Sequence, residues 1–205
     1  MPSERLAESP EEGRGNLVHL ARTRLTQLRD QTGLTSTLTV RVHGSALTLD
    51  SRRSAVMRTM RLAYVPGEVR PLFGGASVTP LLAYAPREVI DQSLSGSRPL
   101  TALMPSPEAL RAELPAIRAR GHHATTGWIN PGLTAIGVPV LVDARCVCAL
   151  SLVGPVVDPA ALGPLQAAAA QLSADLKATA AAWLAPAMDA DVPDADHVVG
   201  VATYA

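Results

Sequence analysis

Three kinds of residue in this sequence could take part in chemistry, and they lie close together in the chain. His122 and His123 are adjacent, Cys146 and Cys148 are separated by one residue, and Ser151 follows shortly after. Imidazoles serve as acid–base groups or metal ligands, thiolates bind zinc, and a serine hydroxyl can act as a nucleophile. The surrounding pattern decides which of these chemistries the sequence supports.

The spacing of these residues gives little support to a metal site or to catalysis. Zinc needs about four ligands at characteristic separations, which are absent around Cys146 and Cys148, and a buried cysteine behaves as a small hydrophobic side chain. Strand neighbours point in opposite directions, so only one of His122 and His123 can face a given site. Ser151 lacks the G-x-S-x-G motif of a nucleophile, which leaves a hydrogen-bonding serine or a plain core serine. We therefore predict no catalytic residue, no metal and no cofactor.

Composition indicates one globular domain without a general affinity for nucleic acid or lipid. The 205 residues are 47% hydrophobic and only 3% aromatic, so the core must be aliphatic. The 18 basic residues balance the 18 acidic ones, which removes a broad electrostatic attraction to polyanions. The polar N-terminus lacks the apolar segment of a signal peptide, and charged residues interrupt the apolar stretch Ala160–Leu184. With only two cysteines, these features predict a cytoplasmic protein and no membrane partner.

Hydrophobic periodicity divides the chain into a leader (residues 1–14), one domain (15–185) and a tail (186–205). The predicted order is helix, strands, helices, strands, helix. This order predicts an α+β fold, in which an antiparallel sheet carries the first and last helices on one face and the middle segment on the other. The predicted helices are Asn16–Gln31, Ala76–Tyr84, Arg87–Gln92, Pro107–Ala119 and a long helix from Ala160 to about Trp183, and the predicted strands are Leu34–Val42, Ala46–Leu49, Val56–Leu62 and three between Gly121 and Pro155.

A family pattern emerges when these elements are taken together. The helix PEALRAELPAIRARG ends in glycine and is followed by three strands that close at Gly154-Pro155. With TGLTSTLTVRVHGSALTLD and GEVRPLFGGASVTPLLA upstream, the arrangement resembles the C-terminal effector-binding domain of IclR-type (isocitrate lyase regulator) transcription factors over residues 16–184. The resemblance implies a GAF-like domain of a bacterial regulator that senses a small-molecule effector and forms a homo-oligomer.

The resemblance also implies where the effector would bind. Pro71-Leu72 and Leu81-Leu82-Ala83 match the family's signature loop and helix, whereas Val78-Thr79 replaces its G-K pair. Trp128 leaves two alternatives open, since it could stack on a ligand or cover the rim of the core. The implied ligand-binding residues are Gly75, Ala76, Ser77, Val78, Thr125, Trp128, Ala135, Ser151 and Val153.

Several departures from the family pattern make the implied pocket less polar. Residues 125–128 (TTGW) replace an acidic cluster, Ala135 replaces a cysteine, and Val153 replaces the second of two alternating serines. Strand alternation places Ala135 on one face with Gly137 and places Cys146 and Cys148 together on the opposite face from Ser151. Because alternation puts no arginine or lysine on the Ser151 face, we expect a neutral or weakly polar effector rather than a small oxo-acid.

DNA binding by this chain alone is not expected. Such regulators carry an N-terminal winged helix-turn-helix, and about fourteen residues before the first helix are too few for a three-helix DNA reader. Two other functions remain open at this point. One is a stand-alone accessory module that dimerises with full-length relatives and modulates them, and the other is a small hydrolase that uses His122 or His123 with Ser151 on the same scaffold.

Overall fold

The computed structural model describes residues 10–59 and 64–179, which form a helix–sheet–helix arrangement. None of the helices in these two segments is both long and apolar enough to cross a membrane. The helices are α1 (Pro10–Thr32), α2 (Thr79–Ala83), α3 (Arg87–Leu94), α4 (Pro107–Arg120) and α5 (Leu162–Ala178), with 3-10 turns at Val56–Thr59 and Pro159–Ala161. The strands are β1 (Thr35–Val42), β2 (Ser45–Arg52), β3 (Val69–Pro71), β4 (His123–Thr126), β5 (Thr134–Val142) and β6 (Arg145–Gly154).

The six strands form one antiparallel sheet in the order β3-β2-β1-β6-β5-β4. Two hairpins, one from each half of the chain, meet where β1 pairs with β6. This pairing places the N-terminal and C-terminal strands side by side at the centre. The predicted α+β class with an antiparallel sheet is therefore confirmed.

Helices α1 and α5 cover one face of the sheet, as predicted. In α1, Leu17, Ala21, Leu25 and Leu28 recur at helical spacing and are all buried. They pack with apolar side chains of α5 and of the central strands in the largest core cluster. The sheet residues in this cluster are Leu38, Val40, Val42, Ile136, Val138, Val140, Val142, Val147, Cys148, Leu150 and Leu152.

The segment between β3 and β4 covers the other face. Helix α4 begins at a serine cap, because Ser106 Oγ accepts a hydrogen bond from Ala109 N at 3.2 Å. It ends at Gly121, whose φ of 70° suits glycine. The buried apolar residues of α2 and α4 form a second core cluster against this face. The helical layer on one side and the middle segment on the other match the predicted two-sided covering.

Some predicted boundaries are wrong. Helix α1 begins at Pro10, inside the predicted leader, because proline at a first helical position has a φ already suited to the helix. Residues 56–59 of the predicted strand form a 3-10 turn, and the third strand is instead the short β3, in a stretch predicted as loop. The rest of that predicted strand (60–62), residues 1–9, the tail 186–205 and the end of the long helix lie outside the described residues.

The two cysteines lie on opposite faces of the sheet, contrary to the prediction. Val140 pairs with Cys148, but Leu141 pairs with Cys146, so Val147 is an extra residue in β6. This β-bulge shifts the alternation by one residue. Cys148 consequently packs beneath α1 and α5, and Cys146 packs in the cluster formed by α2 and α4.

Candidate functional site

Residues 64–79, here called the capping segment, include the edge strand β3 and continue onto the face of the sheet opposite α1 and α5, where Ala76 lies against Gly137. A Cβ atom at Gly137 would lie 1.9 Å from the carbonyl oxygen of Ala76. A Cβ atom at Gly75 would lie 3.2 Å from Ile129 Cγ1 and 3.4 Å from Thr125 Oγ1. Glycine at both positions therefore lets the backbone of the capping segment approach the sheet closely.

Hydroxyl groups hold the end of the capping segment in place. Thr125 Oγ1 accepts a hydrogen bond from Ala76 N at 3.2 Å. Thr79 Oγ1 donates to the carbonyl oxygens of Gly74 and Gly75 at 3.1 and 3.0 Å. The amides of Val78 and Thr79 also donate to the Gly75 carbonyl. The predicted site residue Thr125, together with Thr79, thus supports the segment.

A row of directly paired residues crosses the sheet beneath the capping segment. Thr37 pairs with Ser151, Ser151 with Gly137, and Gly137 with His123. Residues paired in this way lie on the same face of the sheet, so all four belong to one face. The hydroxyls of Thr37 and Ser151 are buried and lie 2.6 Å apart. The neighbouring row is Thr35, Val153, Ala135 and Thr125. The predicted site residues on the strands therefore occupy two adjacent rows.

Two hydroxyl groups at this face are buried without a hydrogen bond of normal geometry. Thr39, next to Thr37 on the same face of β1, has a fully buried side chain. Ser77, in the capping segment, is also fully buried. Thr39 Oγ1 forms no hydrogen bond of normal geometry with any residue that the structure describes, and Ser77 Oγ has only a weak interaction with the Tyr64 hydroxyl, outside normal hydrogen-bond geometry. Since buried polar groups in proteins are nearly always hydrogen-bonded, these two atoms require an explanation.

An apolar cluster lies beside these hydroxyls. It joins residues of the capping segment, of the 3-10 turn that precedes it, of the β4–β5 connection and of the central strands. Its members are Met57, Tyr64, Ala76, Leu133, Ala135 and Val153. This cluster is separate from the two larger ones, so the face beneath the capping segment has both an apolar part and a polar part.

Tyr64 and Arg70 belong to this site although the sequence did not predict them. Arg70 lies opposite Ala46 in the β2–β3 pair, so its side chain shares the face of the buried Ala46. Its guanidinium carbon lies 4.5 Å from the centre of the Tyr64 ring. Burial raises the pKa of the Tyr64 hydroxyl, and Arg70 and Ser77 partly offset this rise. The expectation of a face without arginine is therefore wrong.

The backbone at Tyr64 is strained. Its φ of 94° lies in a region that side-chain-bearing residues rarely adopt. The carboxylate of Glu68 accepts hydrogen bonds from the amides of Tyr64 and Val65, which holds this conformation. Strain of this kind is concentrated at ligand-binding and switch sites in proteins, because the surrounding structure must maintain it.

His123 and Trp128 form a separate group near α4. His123 is buried, and its ring contacts Trp128 edge-on with centroids 5.0 Å apart. Trp128 packs against the cluster formed by α2 and α4, which matches the core-rim alternative. Burial lowers the pKa of His123 from 6.5 to about 4, while Glu113, 3.8 Å away, opposes this shift. The imidazole is therefore neutral near pH 7.

The cysteines are not suited to chemistry. Both thiols are free and buried. Burial raises the pKa of Cys146 to about 12 and raises that of Cys148 well above its usual value. Nucleophilic attack and metal binding require the thiolate, which is disfavoured here. Across residues 10–59 and 64–179, no group of three or more histidine, cysteine or acidic side chains is placed to hold a metal ion.

The predicted site residues thus divide into three groups. Ala76, Ala135 and Val153 meet in the apolar cluster, and Ser77 and Ser151 supply buried hydroxyls beside it. A second group, Gly75 and Thr125, positions the capping segment. A third, Val78 and Trp128, packs in the α2–α4 cluster.

Comparison with known proteins identifies the family. The profile described as "Bacterial transcriptional regulator IclR C-terminal" matches residues 13–181. The chain belongs to the IclR family of transcriptional regulators. Proteins of this family are regulators and not enzymes, so the hydrolase alternative is set aside. None of the curated proteins matches this IclR chain in a sequence search.

Solved structures share the fold of this IclR domain. IclR of Thermotoga maritima superimposes with a TM-score of 0.71 at 22% identity, covering 78% of this chain and 68% of that one. An IclR homologue from Microbacterium hydrocarbonoxydans, crystallised with 4-hydroxybenzoate, gives a TM-score of 0.75 at 25% identity, covering 80% and 70%. The transcriptional regulator YaiJ gives 0.72 at 24% identity, covering 82% and 98%.

Proposed function

We propose that this IclR domain senses a small-molecule effector that binds between the capping segment and the sheet. The buried hydroxyls of Ser77 and Thr39, neither of which has a hydrogen bond of normal geometry, carry the proposal, because a ligand with polar groups would give them partners. The adjoining apolar cluster would receive the rest of the molecule. Mostly apolar sites with a few placed polar groups are typical of small-molecule binding.

The ligand of a relative supports the same assignment. The Microbacterium hydrocarbonoxydans homologue was crystallised with 4-hydroxybenzoate, an aromatic ring with a polar group at each end. A molecule of this kind would match a site that combines apolar side chains with hydroxyls. Binding would favour one position of the capping segment, which is how an effector would change the state of the regulator.

A thermal-shift screen tests the proposal. The purified chain is heated with 4-hydroxybenzoate, benzoate, small lactones, glyoxylate and pyruvate, each at several concentrations. A compound present at about 100 times its Kd should raise Tm by roughly 5–10 °C. The compound that binds most tightly is then measured by calorimetry against Ser77→Ala, with Ser95→Ala at the exposed end of α3 as the control.

The two serine variants should separate the site from the rest of the surface. Ser77→Ala should weaken binding roughly 2- to 13-fold if Ser77 makes one neutral hydrogen bond to the ligand. Ser95→Ala should leave the affinity unchanged. Equal affinities in wild type and Ser77→Ala, for a compound that does bind, would place the effector elsewhere on the domain.

Three further properties complete the proposal. We expect a homo-oligomer, since the family is one of regulators. Light scattering that shows only monomer at a protein concentration of about tens of micromolar, at which obligate interfaces remain associated, would contradict this expectation. We expect no sequence-specific DNA binding by this chain, because its formal charge is balanced; a salt-resistant, sequence-dependent gel shift would contradict that. A cytoplasmic location is proposed from the regulator family and the two free thiols.

A further inference from the structure

Arg70 is a buried cation whose hydrogen-bonding capacity is only partly used. Its side chain is only 12% exposed. Nη2 donates to Thr48 Oγ1 at 3.3 Å, which is long for a hydrogen bond. Nε is buried and has no hydrogen-bond partner within residues 10–59 and 64–179. A guanidinium carries five N–H donors, so beyond its contacts with Thr48 and the Tyr64 hydroxyl the Nε–H donor remains available to another group.

The ion pair with Glu68 does not satisfy this cation. Glu68 Oε2 lies 4.0 Å from Arg70 Nε, which is beyond hydrogen-bonding distance. The same oxygen already accepts hydrogen bonds from the amides of Tyr64 and Val65. Glu68 therefore acts mainly on the backbone of the strained Tyr64, and the charge of Arg70 is only partly compensated.

The position of Arg70 connects it to the proposed effector site. Tyr64, over whose ring the guanidinium stacks, is a member of the apolar cluster with Ala76 and Val153. Thr48, which Arg70 contacts, is paired directly with Thr39, whose hydroxyl has no hydrogen bond of normal geometry. The cation, the hydroxyls of Thr39 and Ser77 and the apolar side chains are thus neighbours where the capping segment meets the sheet.

We infer that Arg70 binds the anionic group of the effector and that the effector is a monocarboxylate with an apolar body. The inference rests on the proposed function. A planar carboxylate can accept two parallel N–H bonds from a guanidinium, which would satisfy Nε and one Nη together. One arginine matches one negative charge; a phosphate dianion, buried in the same place, would need more positive charge. The expectation of a neutral effector is replaced by this assignment.

Matched acid and amide pairs test the inference. Calorimetry compares 4-hydroxybenzoate with 4-hydroxybenzamide and hexanoate with hexanamide, since each pair differs in charge but hardly in shape. Wild type should bind the better acid at least about tenfold more tightly than its amide. Arg70→Met, which keeps the length of the side chain and removes the charge, should lose this preference. Arg145→Met, at the exposed start of β6, is the control and should keep it.

Urea unfolding of Arg70→Met decides between binding and a structural role without any ligand. A guanidinium kept for an effector is incompletely paired in the free protein, so its removal should leave the urea midpoint unchanged or raise it. A guanidinium kept to hold Tyr64 and Glu68 in place would, when removed, lower the midpoint. A fall of more than about 0.5 M urea would overturn the inference.

The outcomes separate the two proposals. Acids and amides that bind equally well to wild type, or an acid preference that survives in Arg70→Met, would refute the role of Arg70 and leave effector sensing intact. A panel in which no compound binds wild type would count against effector sensing for this class of ligand. In that case the unfolding measurement alone still decides whether Arg70 is structural.

Discussion

The buried imidazole of His123 should make this domain lose stability as the pH falls. Its pKa is about 4 in the folded protein and 6.5 when solvated, mainly because burial penalises the charged form. Glu113 opposes this shift, whereas Arg120 and His122 add to it. Between these two pKa values the unfolded chain binds a proton that the folded protein does not. The stabilisation is therefore complete above pH 6.5 and is lost as the pH falls toward 4.

The magnitude follows from the two pKa values. Between pH 7.5 and pH 5, His123 alone should lower the free energy of unfolding by about 2 kcal/mol. For a urea m-value of about 2 kcal/mol/M, the midpoint of unfolding should fall by about 1 M. The measurement is urea unfolding at both pH values for wild type and His123→Gln, because glutamine has no imidazole to protonate.

Comparing the change in urea midpoint between the two pH values in wild type and in His123→Gln separates the contribution of His123 from that of other titrating groups. The variant should lose about 1 M less than wild type over the same pH interval. His19→Gln, at an exposed position of α1, is the matched control and should retain the wild-type pH dependence. Identical pH dependence in wild type and His123→Gln would show that the imidazole is solvated or charged in the folded state, contrary to its position under Trp128 and α4.

Three further predictions concern the packing of the sheet. Gly137→Ala should destabilise the domain by roughly 1–3 kcal/mol, because the new Cβ meets the Ala76 carbonyl. Gly163→Ala in α5, where the new Cβ has open space around it, should not destabilise the domain. Equal unfolding midpoints for the two variants would contradict this packing. Cys146 and Cys148 should react with Ellman's reagent roughly 100-fold more slowly in the native protein than in urea, since burial suppresses the thiolate, and a fast native reaction would show that a thiol is accessible. Ser106→Ala should cost about 1 kcal/mol through loss of the α4 cap, and an unchanged midpoint would mean that the cap is dispensable.

The sequence predicts the elements whose periodicity is strong. The apolar spacing in α1 and the alternation in β1, β5 and β6 lead directly to the two-sided sheet, because burial of one face enforces that pattern. The same alternation correctly places Ala135, Ser151 and Val153 on the face opposite α1 and α5. It fails at Cys146, since a β-bulge adds one residue and no local signal marks it.

The site was harder to predict where the chain lacks periodicity. Strand β3 has only three residues and ends in proline, so the stretch reads as loop, and Arg70 was not assigned to the sheet. The short alternation of Glu68, Val69 and Arg70 between a glycine and a proline is the one local signal that could have indicated an edge strand. The backbone of Tyr64 has a positive φ, a conformation that favours glycine. A tyrosine in the sequence does not predict this conformation, so the position of Tyr64 at the site could not be foreseen.

Hydrogen–deuterium exchange, measured with and without the compound that binds most tightly in the thermal screen, tests effector sensing most directly. Binding under the capping segment should slow exchange in residues 64–79 and in the facing strands β1 and β6, because the ligand would stabilise the segment against local opening. Exchange in the exposed parts of α1 and α5 should not change. Protection confined to α1 and α5, or binding without any protection of the capping segment, would contradict the proposed site.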